Sequence, residues 1–127
     1  MSETGLHRML DVNAWVDAGR SVVELVGELD MYSAVRLREV LDALPKDAQR
    51  RVALEMSRLD FLDSSGIGVL IRAMKRAKML GGGLCLVAVQ ERVLKTFRIT
   101  GLVRVMPAFP VLDEAFAWLD AQHVHAR

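Results

Sequence analysis

The sequence predicts an α/β domain: a mixed, mostly parallel sheet opened by a β-hairpin, with helices packed on it. Two strand-like segments joined by a short turn open the chain. After them, short apolar runs alternate with segments of helical periodicity, an order that right-handed crossovers convert into a parallel sheet. The chain has 127 residues, the size of a single domain with a real core and no need of staples. The folded part is expected from about residue 10 to 119, between short tails.

Leu10 to Val16 and Ser21 to Leu29 read as the two strands of the hairpin, turning at Asp17-Ala18-Gly19-Arg20. In the second, Val23, Leu25, Gly27 and Leu29 share one face, and Glu24 and Glu28 the other. Gly27 has no side chain and so permits close approach of another backbone. Ser33 reads as the N-cap of a helix carrying Val35, Leu37, Val40, Leu41 and Leu44, which Pro45 ends. Arg51 to Met56 is the next strand. A serine-bearing loop follows, then a helix to Leu80 with Ile67, Leu70, Ile71 and Met74 as its core stripe. Gly81-Gly82-Gly83 stops that helix. Leu84 to Val89 is a buried strand, and Glu91 to Ile99 a helix with Val93, Leu94 and Phe97 inward. A short strand around Val105 to Phe109 is limited by Pro107 and Pro110. Leu112 to Gln122 closes the chain as a helix with Ala115, Phe116 and Leu119 on its apolar side.

Composition narrows the function. Hydrophobic residues make up 52% and the mean hydropathy is +0.23, as buried strands require. The longest apolar run, Leu84 to Val89, is far short of the about 20 residues that span a bilayer. Met1 to Gly5 is polar, with no hydrophobic signal core. The expectation is a cytoplasmic protein without membrane attachment. Seventeen basic and 16 acidic residues leave a net charge of +1, so no global field recruits nucleic acid. Arg72, Lys75, Arg76 and Lys78 form the one basic bias, and such a run reads as a solvated helix face. Cys85, flanked by aliphatics, reads as a small buried hydrophobe, with no second cysteine or metal-ligand spacing beside it.

The stretch Leu59-Asp60-Phe61-Leu62-Asp63-Ser64-Ser65-Gly66-Ile67-Gly68 is the most informative in the chain. It places two hydroxyls, preceded by a carboxylate, where a strand hands over to a helix. Ser64 or Ser65 is expected at the N-cap or first turn, where free N–H groups and the helix dipole favour negative charge. On pattern alone these serines read as caps. Asp30, just past the second strand, reads as a turn or cap residue. Asp63 either orients the serine loop or decorates the helix N-terminus. Gly66 and Gly68 do not form a phosphate cradle, since the third glycine of a dinucleotide fingerprint and any Gly-Lys-Ser/Thr element are missing. Gly68 reads as a bare patch on which another protein can sit close, extended by Val69, Arg72 and Arg76 along the same helix.

Asp63-Ser64-Ser65-Gly66-Ile67-Gly68 resembles the phosphorylation motif of bacterial anti-sigma factor antagonists, the small STAS-domain proteins. Gly27-Glu28-Leu29-Asp30 resembles their second signature and Thr100-Gly101-Leu102 a third, weaker one. The three stand in family order and spacing, and the likeness runs from about Leu10 to Trp118. The resemblance implies a STAS-like fold and a regulatory binding module, not an enzyme. It implies that the unphosphorylated form binds an anti-sigma factor that is also a serine kinase, freeing the sigma factor. Phosphorylation of Ser64, the first hydroxyl after the aspartate, ends that binding, and a metal-dependent serine phosphatase restores it. Ser65 then holds the loop or the helix start. Asp30, Asp63, Ser65, Gly66, Gly68, Val69 and Arg72 make up the expected partner surface. The chain is a substrate, expected to be a monomer with no metal or cofactor of its own, since ATP and magnesium belong to the kinase.

Two rivals remain at this stage. One keeps the fold and makes the chain a STAS subunit of a transporter or signalling scaffold. The other is a receiver-like domain phosphorylated on Asp60 or Asp63 with Thr100 and Lys95 as helpers, although the acidic pair and late lysine of such a domain are missing. Enzyme readings fail sooner. Ser64 lacks the Gly-x-Ser-x-Gly elbow, and His7, His123 and His125 lie near the termini, remote from a serine that needs a base.

Overall fold

The computed structural model describes residues 9–122; the three histidines lie outside them. β1 (Asp11–Asp17) and β2 (Arg20–Leu29) form the antiparallel hairpin, and β3 (Arg51–Leu62), β4 (Gly83–Val87) and β5 (Ala108–Phe109) extend it in parallel. The spatial order is β1-β2-β3-β4-β5. Among the described residues four α-helices accompany the sheet: α1 (Met31–Asp42), α2 (Ser64–Met79), α3 (Glu91–Ile99) and α4 (Leu112–Asp120). The fold class is the expected one.

Strand order explains which helix covers which face. From β2 to β5 it never reverses, so right-handed crossovers put α1, α2 and α3 on the same side. There Leu37, Leu70 and Phe97 meet Leu25, Leu54 and Leu86 in the larger core cluster. The chain after β5 makes no crossover and returns over the opposite face, where Ala115 and Leu119 of α4 pack on Ala53, Cys85 and Val87. Neighbours such as Ala53 and Leu54 therefore point into different cores, the reason the strands read as continuous apolar runs. Arg20 ties α4 to the hairpin, donating to both carboxylate oxygens of Asp120 at 3.0 and 2.5 Å while lying 4.4 Å over the Phe116 ring. Burial pushes the Cys85 thiol up to about 12.

Several boundaries differ from the sequence reading. β3 runs to Leu62, so most of the expected serine loop is strand. Its second half pairs only with β2, from Val26↔Arg58 to Leu29↔Leu62, across register shifts at Glu24/Val26 and Gly27/Glu28. Those bulges, with exposed Ser57 and Arg58, broke the apolar alternation that would have revealed the extension. Gly27 sits in this ribbon at φ +111, and a Cβ there would run into the Met9 carbonyl, the close approach anticipated for it. α1 is capped by Asp30, not Ser33. Asp30 Oδ1 accepts from the Tyr32 and Ser33 N–H groups at 3.0 Å each, and Ser33 Oγ accepts from the Asp30 N–H at 3.0 Å, a capping box. Val35, expected inward, is exposed, while Ala34 takes a core position beside Leu37 and Leu41. A 3-10 turn, Lys46–Arg50, follows Pro45, and another, Leu102–Arg104, precedes the last strand, which is confined to Ala108–Phe109.

Candidate functional site

The β2–β3 ribbon projects beyond the last β3–β4 pair, Glu55↔Val87, and carries the two singled-out segments to one end of the sheet. Leu29 and Leu62 are register partners, and the Asp63 N–H donates to the Leu29 carbonyl at 3.1 Å. Asp30 and Asp63 thus follow directly on adjacent strands, each capping the helix that begins there.

At α2 the cap is Asp63, in extended conformation, whose Oδ1 accepts from the Ser65 N–H at 2.9 Å and the Gly66 N–H at 3.1 Å. Both serines fall in the first turn of α2, one of the two places expected for them, and the capping that pattern alone gave them belongs to Asp63. Aspartate reaches back to the second and third helical N–H groups, which leaves Ser64 as the first helical residue and its hydroxyl exposed. Among the described residues neither Ser64 Oγ nor Ser65 Oγ takes part in a hydrogen bond. The cap also alters the electrostatics. Two of the N–H groups expected to favour a phosphate already serve a carboxylate, so an anion on Ser64 stands outward beside Asp63.

The two glycines of the motif differ in kind. Gly66 is buried, and a Cβ there would come within 2.6 Å of Leu29 Cγ and 3.2 Å of Leu62 Cδ1. It serves close packing of α2 on the ribbon. Gly68 is exposed, with nothing within 4 Å of an added Cβ. A glycine inside a helix costs about 1 kcal/mol relative to alanine, and at Gly68 no contact demands it.

The other expected residues divide similarly. Asp30 is 8% exposed, so it offers a partner only the rim of its capping carboxylate. Val69 is half-buried and packs against the larger core. Arg72 is exposed, 3.5 Å from Asp42 of α1. Thr100 Oγ1 donates back to the Thr96 carbonyl, and Gly101 at φ +77 turns the chain after α3. Asp60 accepts from Gln90 Nε2 at 3.0 Å, and Asp63 is engaged as the cap of α2.

Sequence reasoning missed the apolar residues that border the site. Met31 and Tyr32, directly after the Asp30 cap, are 60% and 77% exposed, and Phe61, before Leu62-Asp63, is 47% exposed. Residue type does not reveal such exposure, because burial is a tertiary property. No helix among the described residues is long and apolar enough to cross a membrane.

Comparison with known proteins agrees with this geometry. The STAS domain family model matches residues 11–115. The Anti-sigma-B factor antagonist of Bacillus subtilis (strain 168) is 41% identical over 81 residues, covering 63% of this chain and 72% of the relative. Among solved structures, an anti-sigma factor antagonist from Mycobacterium paratuberculosis superposes with a TM-score of 0.75 at 25% identity, over 87% of this chain and 94% of the other. The Bacillus cell fate determinant SpoIIAA, solved in its phosphorylated form, gives a TM-score of 0.66 at 26% identity, over 85% and 96%.

Proposed function

The chain belongs to the STAS domain family, and from that premise we propose that it is an anti-sigma factor antagonist switched by phosphorylation of Ser64. The unphosphorylated protein binds an anti-sigma factor with serine kinase activity and so releases a sigma factor. Phosphate on Ser64 ends the binding and a serine phosphatase restores it. The chain acts by binding and performs no chemistry of its own.

One observation carries the reading. Asp63 supplies the helix cap, so the exposed Ser64 hydroxyl has no capping duty and is open to a kinase. Its surroundings fit a docking site, with the acidic caps of α1 and α2 on adjacent strand ends, bare Gly68 one turn along α2, Met31 and Tyr32 exposed directly after the Asp30 cap, and Phe61 exposed just before Leu62-Asp63. The likeness to a protein solved in phosphorylated form supports the same reading.

Phosphorylation works here through charge at a preformed surface. The phosphate brings about −1.5 to −2 charges at pH 7. Against a partner carboxylate at roughly 6 Å, each unit costs about 3 kcal/mol at an effective dielectric near 20. Incubation with the cognate kinase and ATP should add one phosphate to the wild type and none to Ser64→Ala. Labelling lost in Ser65→Ala but kept in Ser64→Ala would overturn the assignment.

A further inference from the structure

A shallow groove lies between α1 and α2. Its floor is aliphatic, formed by Leu41, Leu44, Val52 and Val69, and three guanidinium groups, Arg38, Arg72 and Arg76, stand along it with Gln49 and Asp42. Gln49 donates to the Asp42 and Leu44 carbonyls at 3.3 and 2.7 Å, and among the described residues the arginines have few acceptors inside the groove. Arg76 donates to Gln49 Oε1 at 3.0 Å. Arg72 meets Asp42 at 3.5 Å, with both side chains nearly half exposed, which is long for a charge-assisted bond and worth little in water. Arg38 has no ion pair among the described residues. Three arginines against one aspartate leave this groove at +2 in a chain whose net charge is +1.

We propose that this groove receives an acidic side chain of the same protein partner that engages Ser64, its carboxylate between the arginines and its aliphatic stem on the floor. The proposal rests on the reading of Ser64 given above and names a second anchor for that partner. Charge complementarity selects the occupant. Guanidinium forks match carboxylates in geometry and give up hydration more readily than ammonium groups, and an aliphatic floor suits the methylenes of a glutamate. Position agrees. Ser64, Gly68, Arg72 and Arg76 follow at intervals of four on α2, so Arg72 lies about 12 Å along the axis from Ser64. One partner footprint of about 800 Å² covers that span, and bare Gly68 leaves the way between the two points unobstructed.

The two ends of the surface then play opposite parts. The arginines attract the partner's acidic group whatever the state of the serine, whereas a phosphate on Ser64 repels the partner locally. Dissociation constants for the cognate anti-sigma factor kinase, measured by calorimetry over a range of salt, test this. Arg38→Glu should weaken binding about tenfold or more, since like charges brought together across an interface cost several kcal/mol. Arg38→Ala should weaken it less and flatten the salt dependence. Arg38 is exposed on α1, so both variants should keep wild-type circular dichroism. A partner glutamate changed to arginine that restores affinity to Arg38→Glu would identify the occupant. Wild-type affinity in Arg38→Glu, with Ser64 still phosphorylated by the kinase, would overturn the groove proposal and leave the serine reading standing. Failure of the kinase to bind or label the wild type would overturn both.

Discussion

The N–H of Asp63 is held by the carbonyl of Leu29 at 3.1 Å, and this bond joins two of the three signatures of the chain. It fixes the start of α2 against the end of β2, so that the Asp30 and Asp63 caps open side by side. Gly66, in the first turn of α2, packs on the same Leu29. Position at the site is thus set by backbone and packing, and the exposed Ser64 hydroxyl rides on a rigid platform.

The two glycines of the motif should respond oppositely to alanine. Gly66→Ala drives a methyl into Leu29 and should lower stability by about 1–3 kcal/mol. Gly68→Ala meets nothing and should raise it by up to about 1 kcal/mol. Urea denaturation of the two variants checks the pair; equal effects would show that Gly66 does not hold α2 against the ribbon.

The Asp63 cap predicts a graded series. Asp63→Ala removes the acceptor for two backbone N–H groups and should cost about 0.5–2 kcal/mol, whereas Asp63→Asn, a good cap itself, should retain most of the stability. Thermal melts that rank asparagine with alanine would show that charge, and not the hydrogen-bonded cap, is what Asp63 contributes.

Cys85 lies under α4 with its thiol pushed up to about 12. The thiolate is the reactive form, so iodoacetamide at pH 8 should leave the native protein unmodified and label it in denaturant. Rapid labelling of the native protein would mean that α4 opens readily.

Acid should loosen the same helix. The hydrogen bond from Arg20 holds Asp120 below its ordinary value of 3.8. A carboxylate lowered in the folded state adds stability above that ordinary value and loses it as pH falls through the folded one. Below about pH 4 the tie should weaken, and Asp120→Asn should abolish that part of the acid response. An unchanged acid profile in Asp120→Asn, followed through Trp118 fluorescence, would show that the pair does not hold α4.

Much of this fold is legible in the sequence because each strand and helix has its own period. The stripe Leu70, Met74 and the run Val52 to Leu54 read directly, and the run Leu84 to Val89 is strand as far as Val87. The far half of β3 does not, because Ser57-Arg58 and the opposing bulges interrupt alternation. Capping was ambiguous where candidates crowd together: Asp30 and Ser33 form one box, and Asp63 stands before two serines. Gly66 and Gly68 look alike on paper, and only packing assigns one to the core and the other to the surface. The exposure of Met31, Tyr32 and Phe61 left no trace in residue type. What the sequence carried best was the site's chemistry, a carboxylate and a hydroxyl at a strand-to-helix handover.

The most direct test compares the affinity of the unmodified protein and of protein phosphorylated on Ser64 for the cognate anti-sigma factor. With about 3 kcal/mol per unit charge and tenfold in affinity for each 1.4 kcal/mol, the phosphorylated form should bind at least about a hundredfold more weakly, with circular dichroism unchanged. Equal affinity of the two forms would contradict the account.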